Sequence, residues 1–598
     1  MRSTRTIRVA IVACTVAIAG SGAAAPLQNP ATPLPSPATP LQNPERPTYG
    51  STQERPTSGS AAGGHKHYVA PERDLPNQQG ELAPRLQNVG KYVFPVSTKN
   101  AKAQLFISQG VNLSYAFNHA EAGRAFREAA RLDPSLAMAY WGLALVLGPN
   151  INAAMEPTDE APAYAAIQKA LSLKDIASAR EQAFIEALAQ RYTGKPEERQ
   201  TRDKAYADAM RVVYKKFPTD FDAAVLYVES VMDLRPWGYW MNDGVPYEGV
   251  AEAVGILEKV MARKADHPGA LHLYIHLMEA HAPKKAEVAA DRLLPLAPAA
   301  GHLVHMPAHI YQRVGRYADA MKSNELAIKA DEDYITQCRA QGLYPIGYYP
   351  HNLHFLWFAA TFDGQGKVAI DAARRTASKV DPENLKQLPF LAAFKVVPYF
   401  ALTRFGRWEE MLKEPAPAAG NAYLTGIYHF ARGLALTATN RLPEAEQELA
   451  LVKKALADKS MEGPLFSPNT AGSVFAIAPE MLAGEIAMAR KQYDTAISHF
   501  ERAVRLEAGL VYTEPSEWHY PPRHALGAAL LEAGRPGEAE TVYWQDLQRW
   551  PENGWALFGV VQALRAQKKD PQADVVEARF KKAWARADVT LTGSRFAK

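Results

Sequence analysis

The stretch that decides the fold is Ala103-Gln-Leu-Phe-Ile-Ser-Gln-Gly110, continued by His119-Ala-Glu-Ala122-Gly-Arg-Ala-Phe126-Arg-Glu-Ala129-Ala-Arg-Leu-Asp-Pro134. In both halves small and apolar residues return every three or four positions, the spacing of one face of a helix. Small residues let two helices approach closely, the aromatic at Phe126 fills the gap between neighbouring pairs, and Pro134 closes the unit. The template returns at a period of about 34 residues. Gly315, Tyr317, Ala320 and Ala327 fit it, as do Gly484, Tyr493, Ala496, Phe500 and Ala503, and then Gly527, Ala539, Tyr543 and Pro551.

With these residues the chain resembles the tetratricopeptide repeat family from about residue 100 to about residue 585, with the weakest fit between Ala161 and Val260. The resemblance implies an all-α, tetratricopeptide-type helix-turn-helix solenoid, wound as a right-handed superhelix, in which positions 2, 5 and 9 of each first helix line a concave groove. Three strings go beyond the generic repeat: His302-Leu-Val-His-Met-Pro-Ala-His-Ile-Tyr, Tyr348-Tyr-Pro-His-Asn-Leu-His-Phe and Trp518-His-Tyr-Pro-Pro-Arg-His-Ala-Leu-Gly. They are similar to strings in a group of exported bacterial repeat proteins, which implies export and leaves the activity open.

Before the repeats, residues 1–25 read as a secretory signal: Arg2, Arg5 and Arg8, an apolar run from Val9 to Gly20 broken by Thr15, and Ala23-Ala24-Ala25 before Pro26. Cleavage near Ala25 is expected, with lipid anchoring at Cys14 the lesser alternative. Residues 26–98 are expected to be a disordered Pro-rich tether, because Pro, Thr, Gln, Ser and Gly offer too little apolar surface to offset ordering. His65 and His67 stand near its middle. Beyond it the reading assigns helical repeats to 99–260, histidine-rich repeats to 261–382 and further repeats to 383–598. Downstream of the signal no apolar run is expected to cross a membrane. Only Cys338 survives cleavage, which excludes an internal disulfide in the exported chain.

The formal charge is +4, but three of the arginines sit in the signal, leaving about +1 for the rest. That gives no electrostatic case for nucleic acid. No glycine-rich phosphate loop, no serine or cysteine nucleophile motif and no His-Glu-x-x-His string is present.

The concentration of histidine is the functional signal. Nine of the 16 histidines fall between His267 and His354, where an even spread would put about two or three. Aligning Gly315 and Ala320 on the repeat template puts His302, His305 and His309 at the groove positions. The neighbouring repeats place His272 and His276, and His351 and His354, there too. Imidazole-rich sites suit zinc, copper, iron or nickel. His272, His276, His305, His309, His351 and His354 are therefore the expected metal ligands. Three nitrogens on each of two metals would resemble a coupled dicopper centre, and four with Glu279 or water would suit one zinc. Pro307 belongs in a first helical turn, so the helix is expected to start near Val304 with His302 before it.

Glu279 follows His276 on the same face and is a candidate metal ligand, outer partner of a ligand or general base, with a solvated surface glutamate the equal alternative. The candidate ligand contacts are His302, Arg313, Glu229, Tyr349, Asn352 and His524. Glu229 leads into a possible polar and aromatic wall of Asp233, Arg235, Trp237 and Trp240. His119, His429 and His499 read as structural, and any single histidine on a helix is more often a packed residue than a ligand. Two functions fit: a groove that binds a peptide, protein or small organic ligand beside a histidine-rich transition-metal site, or a metalloenzyme, a copper-dependent oxidase or zinc-dependent hydrolase, on the repeat scaffold.

Overall fold

The first repeat shows how the sequence builds the array. Asn100 accepts hydrogen bonds from the Lys102 and Ala103 amides and starts the helix Ala101–Tyr115; Asn118 accepts from the Glu121 amide and starts His119–Leu132. Each cap satisfies amides that have no partner inside the helix. The fully buried Phe126 then lies between Gly110 and Gly142. A Cβ at those glycines would stand 2.6 Å and 2.4 Å from its ring, so only glycine admits this packing. Phe500 packs on Gly484 in the same way, and Tyr543 is held between Gly527 and Gly559.

Repetition of this unit makes the chain an all-α helix-turn-helix solenoid of the tetratricopeptide type, with no β-strand among the described residues. The computed structural model describes Pro76 and residues 80–241, 243–338, 344–465 and 469–596. These lie in one unit, His65–Lys598. The signal-like segment with Cys14, most of the Pro-rich tract, His65 and His67 lie outside the described residues. Residues 80–98, assigned to the tether from sequence, pack against the first repeat. Leu82, Leu86 and Val96 donate their amides to the side chains of Glu128, Gln109 and Gln104, and Phe94 is fully buried.

Two further differences from the sequence reading are local. The backbone is already helical at Gly301–His305, ahead of Pro307, so His302 sits inside a helical turn. The second segment, Pro307–Arg313, follows a break at Met306, because Pro307 has no amide to continue the ladder. In addition Ala471–Ala489 is apolar and long enough to cross a membrane by composition, although most of it is buried in the solenoid.

In an ideal repeat array each unit touches only its neighbours. Here distant repeats meet. The ring of His267 packs 4.5 Å from that of Tyr92 and 5.5 Å from that of Tyr115. Farther along, Tyr317 donates to the Pro551 carbonyl, Trp555 to that of Thr361, and Asp588 accepts the amides of Gly366 and Lys367. The histidine-rich repeats are thus held from both sides.

Phe126→Ala should cost about 3–5 kcal/mol, because the two glycines cannot close the cavity left behind. Val575→Ser, on a side chain 67% exposed, should change stability by less than about 0.5 kcal/mol. Urea unfolding followed by circular dichroism measures both.

Candidate metal centre

Six histidines converge from three places in the chain. The helix Pro268–Met278 carries His272 and His276, the segments Gly301–His305 and Pro307–Arg313 carry His302, His305 and His309, and Tyr349–Phe362 carries His351. They divide into two groups of three, His272 with His276 and His302, and His305 with His309 and His351. Within each group one ring nitrogen per residue lies within 4.8 Å of the others. Five of the six are buried and His351 is half-buried.

The hydrogen bonds around the rings fix which nitrogen is free. The Nδ1 of His272 lies 2.7 Å from the carbonyl oxygen of Tyr115, at the end of the first helix, where carbonyls lack intrahelical partners. The Nδ1 of His305 lies 2.7 Å from Oδ1 of Asn324, whose amide donates to the Ala320 carbonyl and so fixes its orientation. Glu279 is fully buried and takes the other two: Oε1 is 2.9 Å from Nδ1 of His276, and Oε2 is 2.5 Å from Nδ1 of His309.

All four partners are acceptors, so each Nδ1 carries a hydrogen, and in the neutral ring each Nε2 is then a bare lone pair. Those lone pairs face one another, His272 to His276 at 3.1 Å and His305 to His309 at 2.8 Å. Two acceptors at hydrogen-bond distance repel unless a cation or proton lies between them. Two nitrogens bound to one zinc-sized ion in tetrahedral geometry would stand about 3.3 Å apart. Neither nitrogen of the buried His302 has a hydrogen-bond partner. The donor set therefore has the chemistry of metal ligands oriented by outer hydrogen bonds.

Burial holds the imidazoles of His272, His302, His305 and His351 well below their usual pKa, and neighbouring imidazoles push the same way. Burial also lowers that of His276, against the opposing pull of Glu279. The neutral ring is the form that binds metal. At Glu279 burial favours the neutral acid, but the imidazoles of His309 and His276 outweigh it and hold the carboxyl down to about 2. The result is a buried carboxylate that takes a hydrogen from one imidazole of each group.

An aromatic shell covers both groups. Phe117 lies 4.5 Å from the ring of His272 and 5.3 Å from that of His302; Phe355 lies 4.6 Å from both His305 and His309. Phe117 and Trp237 have left-handed backbones, with φ of 54° and 64°, and both rings meet His276. That conformation costs a side chain about 1–2 kcal/mol and is held here by its surroundings. Sequence reasoning missed Phe117, Phe355, Asn324 and Tyr115. Asn324 left a trace: Ala320, Asn324, Ala327 and Asp331 form one helical column, all fully buried, in which two polar residues interrupt the alanines.

The remaining candidates fall elsewhere. His354 does not join either group; it stacks on Trp357 and meets Phe394, and burial lowers its pKa to about 3. Asn352 donates to Asp331, which also accepts from Tyr344, and the Tyr344 hydroxyl receives the His302 amide. Tyr349 donates to Glu332. Glu229 lines a cavity with Asp233, Arg191 and His119, where burial and the charge of Asp233 raise its carboxyl to about 8. His524 is buried between Asp546 and Arg404. Arg313 donates to the carbonyls of Glu279 and Ala280, one helical turn beyond His309.

No protein-family model matches the chain, and no curated protein matches it in sequence. Among solved structures it is similar to a human IFIT1 dimer with m7Gppp-AAAA, at 13% identity and a TM-score of 0.31 over 75% of this chain and 90% of that one. It is also similar to yeast Tom70, at 11% identity and 0.25 over 81% and 93%. A third likeness is to the APC/C hetero-tetramer Cut9-Hcn1, at 12% and 0.26 over 82% and 95%. Values this low carry no argument about function.

The pH dependence follows from the buried rings. Unfolded histidine titrates near its ordinary value of 6.5, whereas the buried rings of His272, His302, His305 and His351 stay neutral well below that. Below about pH 6.5 the unfolded chain therefore binds more protons, and stability falls as the solution is acidified. Each pH unit between the two values is worth about 1.4 kcal/mol per ring. The melting temperature of the metal-free chain should be flat above pH 7 and drop steeply from pH 6.5 towards 4. An unchanged melting temperature across that range would contradict the neutral assignment.

Proposed function

We propose that the chain is an exported repeat scaffold that holds two transition-metal ions, each on three histidine nitrogens, with copper the favoured metal. His272, His276 and His302 hold one ion, and His305, His309 and His351 hold the other. The observation that carries this reading is the pair of facing Nε2 atoms in each group, on rings whose Nδ1 is already engaged. Glu279 adds to it, because its two oxygens hold Nδ1 of one imidazole in each group and leave Nε2 turned away from the carboxylate.

Copper is preferred because the ligands are imidazoles with no carboxylate among them, and a nitrogen site binds divalent copper more tightly than zinc. The role of Glu279 is to orient a ligand in each group. Both its oxygens are engaged by imidazole hydrogens, which leaves it poorly placed as a general base. The remaining groove surface is proposed to receive a peptide, protein or small organic ligand, and residues 1–25 are proposed to direct export.

Elemental analysis of the full chain, expressed without a polyhistidine tag and reconstituted with copper or zinc, tests the reading. About two ions per chain are expected. His272→Ala/His276→Ala and His305→Ala/His309→Ala should each keep about one, and Glu279→Gln should weaken both sites by ~10- to 100-fold. No stoichiometric metal after reconstitution, or a metal content that neither double variant alters, rules it out.

A further inference from the structure

A second cavity lies beyond the last turn of the His309 helix. It is a small, partly open cleft lined by Arg313, Arg549 and Trp550 together with Leu510, Val511 and Tyr512. Three of its side chains, Arg313, Arg549 and Trp550, can only donate. The guanidinium of Arg313 lies 5.3 Å from the centre of the Tyr512 ring and 5.7 Å from that of Trp550. Arg549 stands 5.9 Å from the same indole. Trp550 is 3% exposed and its Nε1 hydrogen, which can only donate, has no partner. The hydroxyls of Thr513 and Ser516 complete the lining.

The positive charges are incompletely balanced. Arg313 gives hydrogen bonds to the carbonyls of Glu279, Ala280 and Arg549, none of which carries a charge. Its nearest acid is Glu514, 3.9 Å away. That carboxyl is fully enclosed and accepts the Tyr512 hydroxyl. Burial pushes it well above the ordinary carboxylate range and the Glu279 charge adds to this, against Arg313. Arg549 is 3.9 Å from Glu507, but Glu507 is held at 2.8 Å by Arg523. Glu517, the acid in the lining, accepts from the Asn469 amide at 2.5 Å.

The geometry points to a binding site for a small organic carboxylate, held by Arg313, Arg549 and the Trp550 indole hydrogen, with its apolar part against Leu510, Val511 and Tyr512. A planar guanidinium pairs with a planar carboxylate through two parallel bonds, and an apolar wall favours an anion that carries hydrocarbon. A phosphate is more strongly hydrated, and the lining described has no cluster of backbone amides to replace that water. The occupant would sit one helical turn from His309, on the other side of the Glu279 backbone. The site does not depend on metal, so it stands or falls separately from the proposed centre.

Calorimetric titration of the metal-free full chain tests it, with benzoate as the probe, inorganic phosphate in a parallel arm, and indole fluorescence as a second readout. Benzoate is expected to bind one to one with Kd below about 1 mM. Arg549→Gln and Arg313→Gln should each weaken it by about tenfold. Trp550→Phe, which keeps an aromatic ring and removes the hydrogen, should weaken it several-fold. Melting temperatures identify any variant that fails to fold, and Arg549→Gln, on the more exposed arginine, keeps the test decisive if Arg313→Gln does. Absence of benzoate binding at millimolar concentration overturns the proposal. So does binding that folded variants leave unchanged, or phosphate binding as tight as that of benzoate.

Discussion

The structure turns on one buried carboxylate. Glu279 takes a hydrogen from His276 on one side and from His309 on the other, and so fixes the tautomer and direction of a ring in each group. A carboxylate buried this completely is costly unless hydrogen bonds and nearby charge compensate it. The two imidazoles supply the bonds. The same contact ties the Pro268–Met278 helix to the Pro307–Arg313 helix, so the geometry of the two groups is set together.

Around this bond the repeat fold supplies position. Antiparallel pairs bring successive first helices side by side, and side chains four apart on each helix point to one face. That accounts for His272 with His276 and for His305 with His309. It does not account for Tyr115 and Phe117, which come from a repeat more than 150 residues earlier in the chain. They arrive because the strap at residues 80–98 and the first repeat fold against the histidine-rich helices, where Tyr92 meets His267. A strictly nearest-neighbour array could not enclose the rings on that side. The contacts of Arg313 with Arg549 and Tyr317 with Pro551 hold the opposite side.

The repeat period and the packing of Gly110 on Phe126 were legible because both are local and periodic. The histidine columns were legible for the same reason. Which ring joins which group was not, since a groove position states a face but not what stands across it. His354 shares a helix with His351 yet turns into the aromatic packing of Trp357 and Phe394. His302 enters a group because the chain forms a helical turn before Pro307 rather than after it. The left-handed backbone at Phe117 follows Ala116 at the helix end, a place where glycine is usual. No single-residue preference would assign a phenylalanine there.

The unsatisfied atoms of the site carry the last step of the argument. Facing lone pairs, an unpartnered His302, a charged Glu279 and two left-handed aromatic backbones each cost folding free energy, and they occur together in the midst of otherwise well-packed repeats. On the proposed reading, a sequence that obeys packing rules from Phe126 to Tyr543 and breaks several of them at one place does so where binding restores the loss. Metal would then supply the missing cations, and its binding free energy would be shared by the elements that meet there. Those elements are the three histidine-bearing parts of the chain and the first repeat, which holds His272 through Tyr115. Metal would thus act on the long-range closure that a repeat array otherwise lacks.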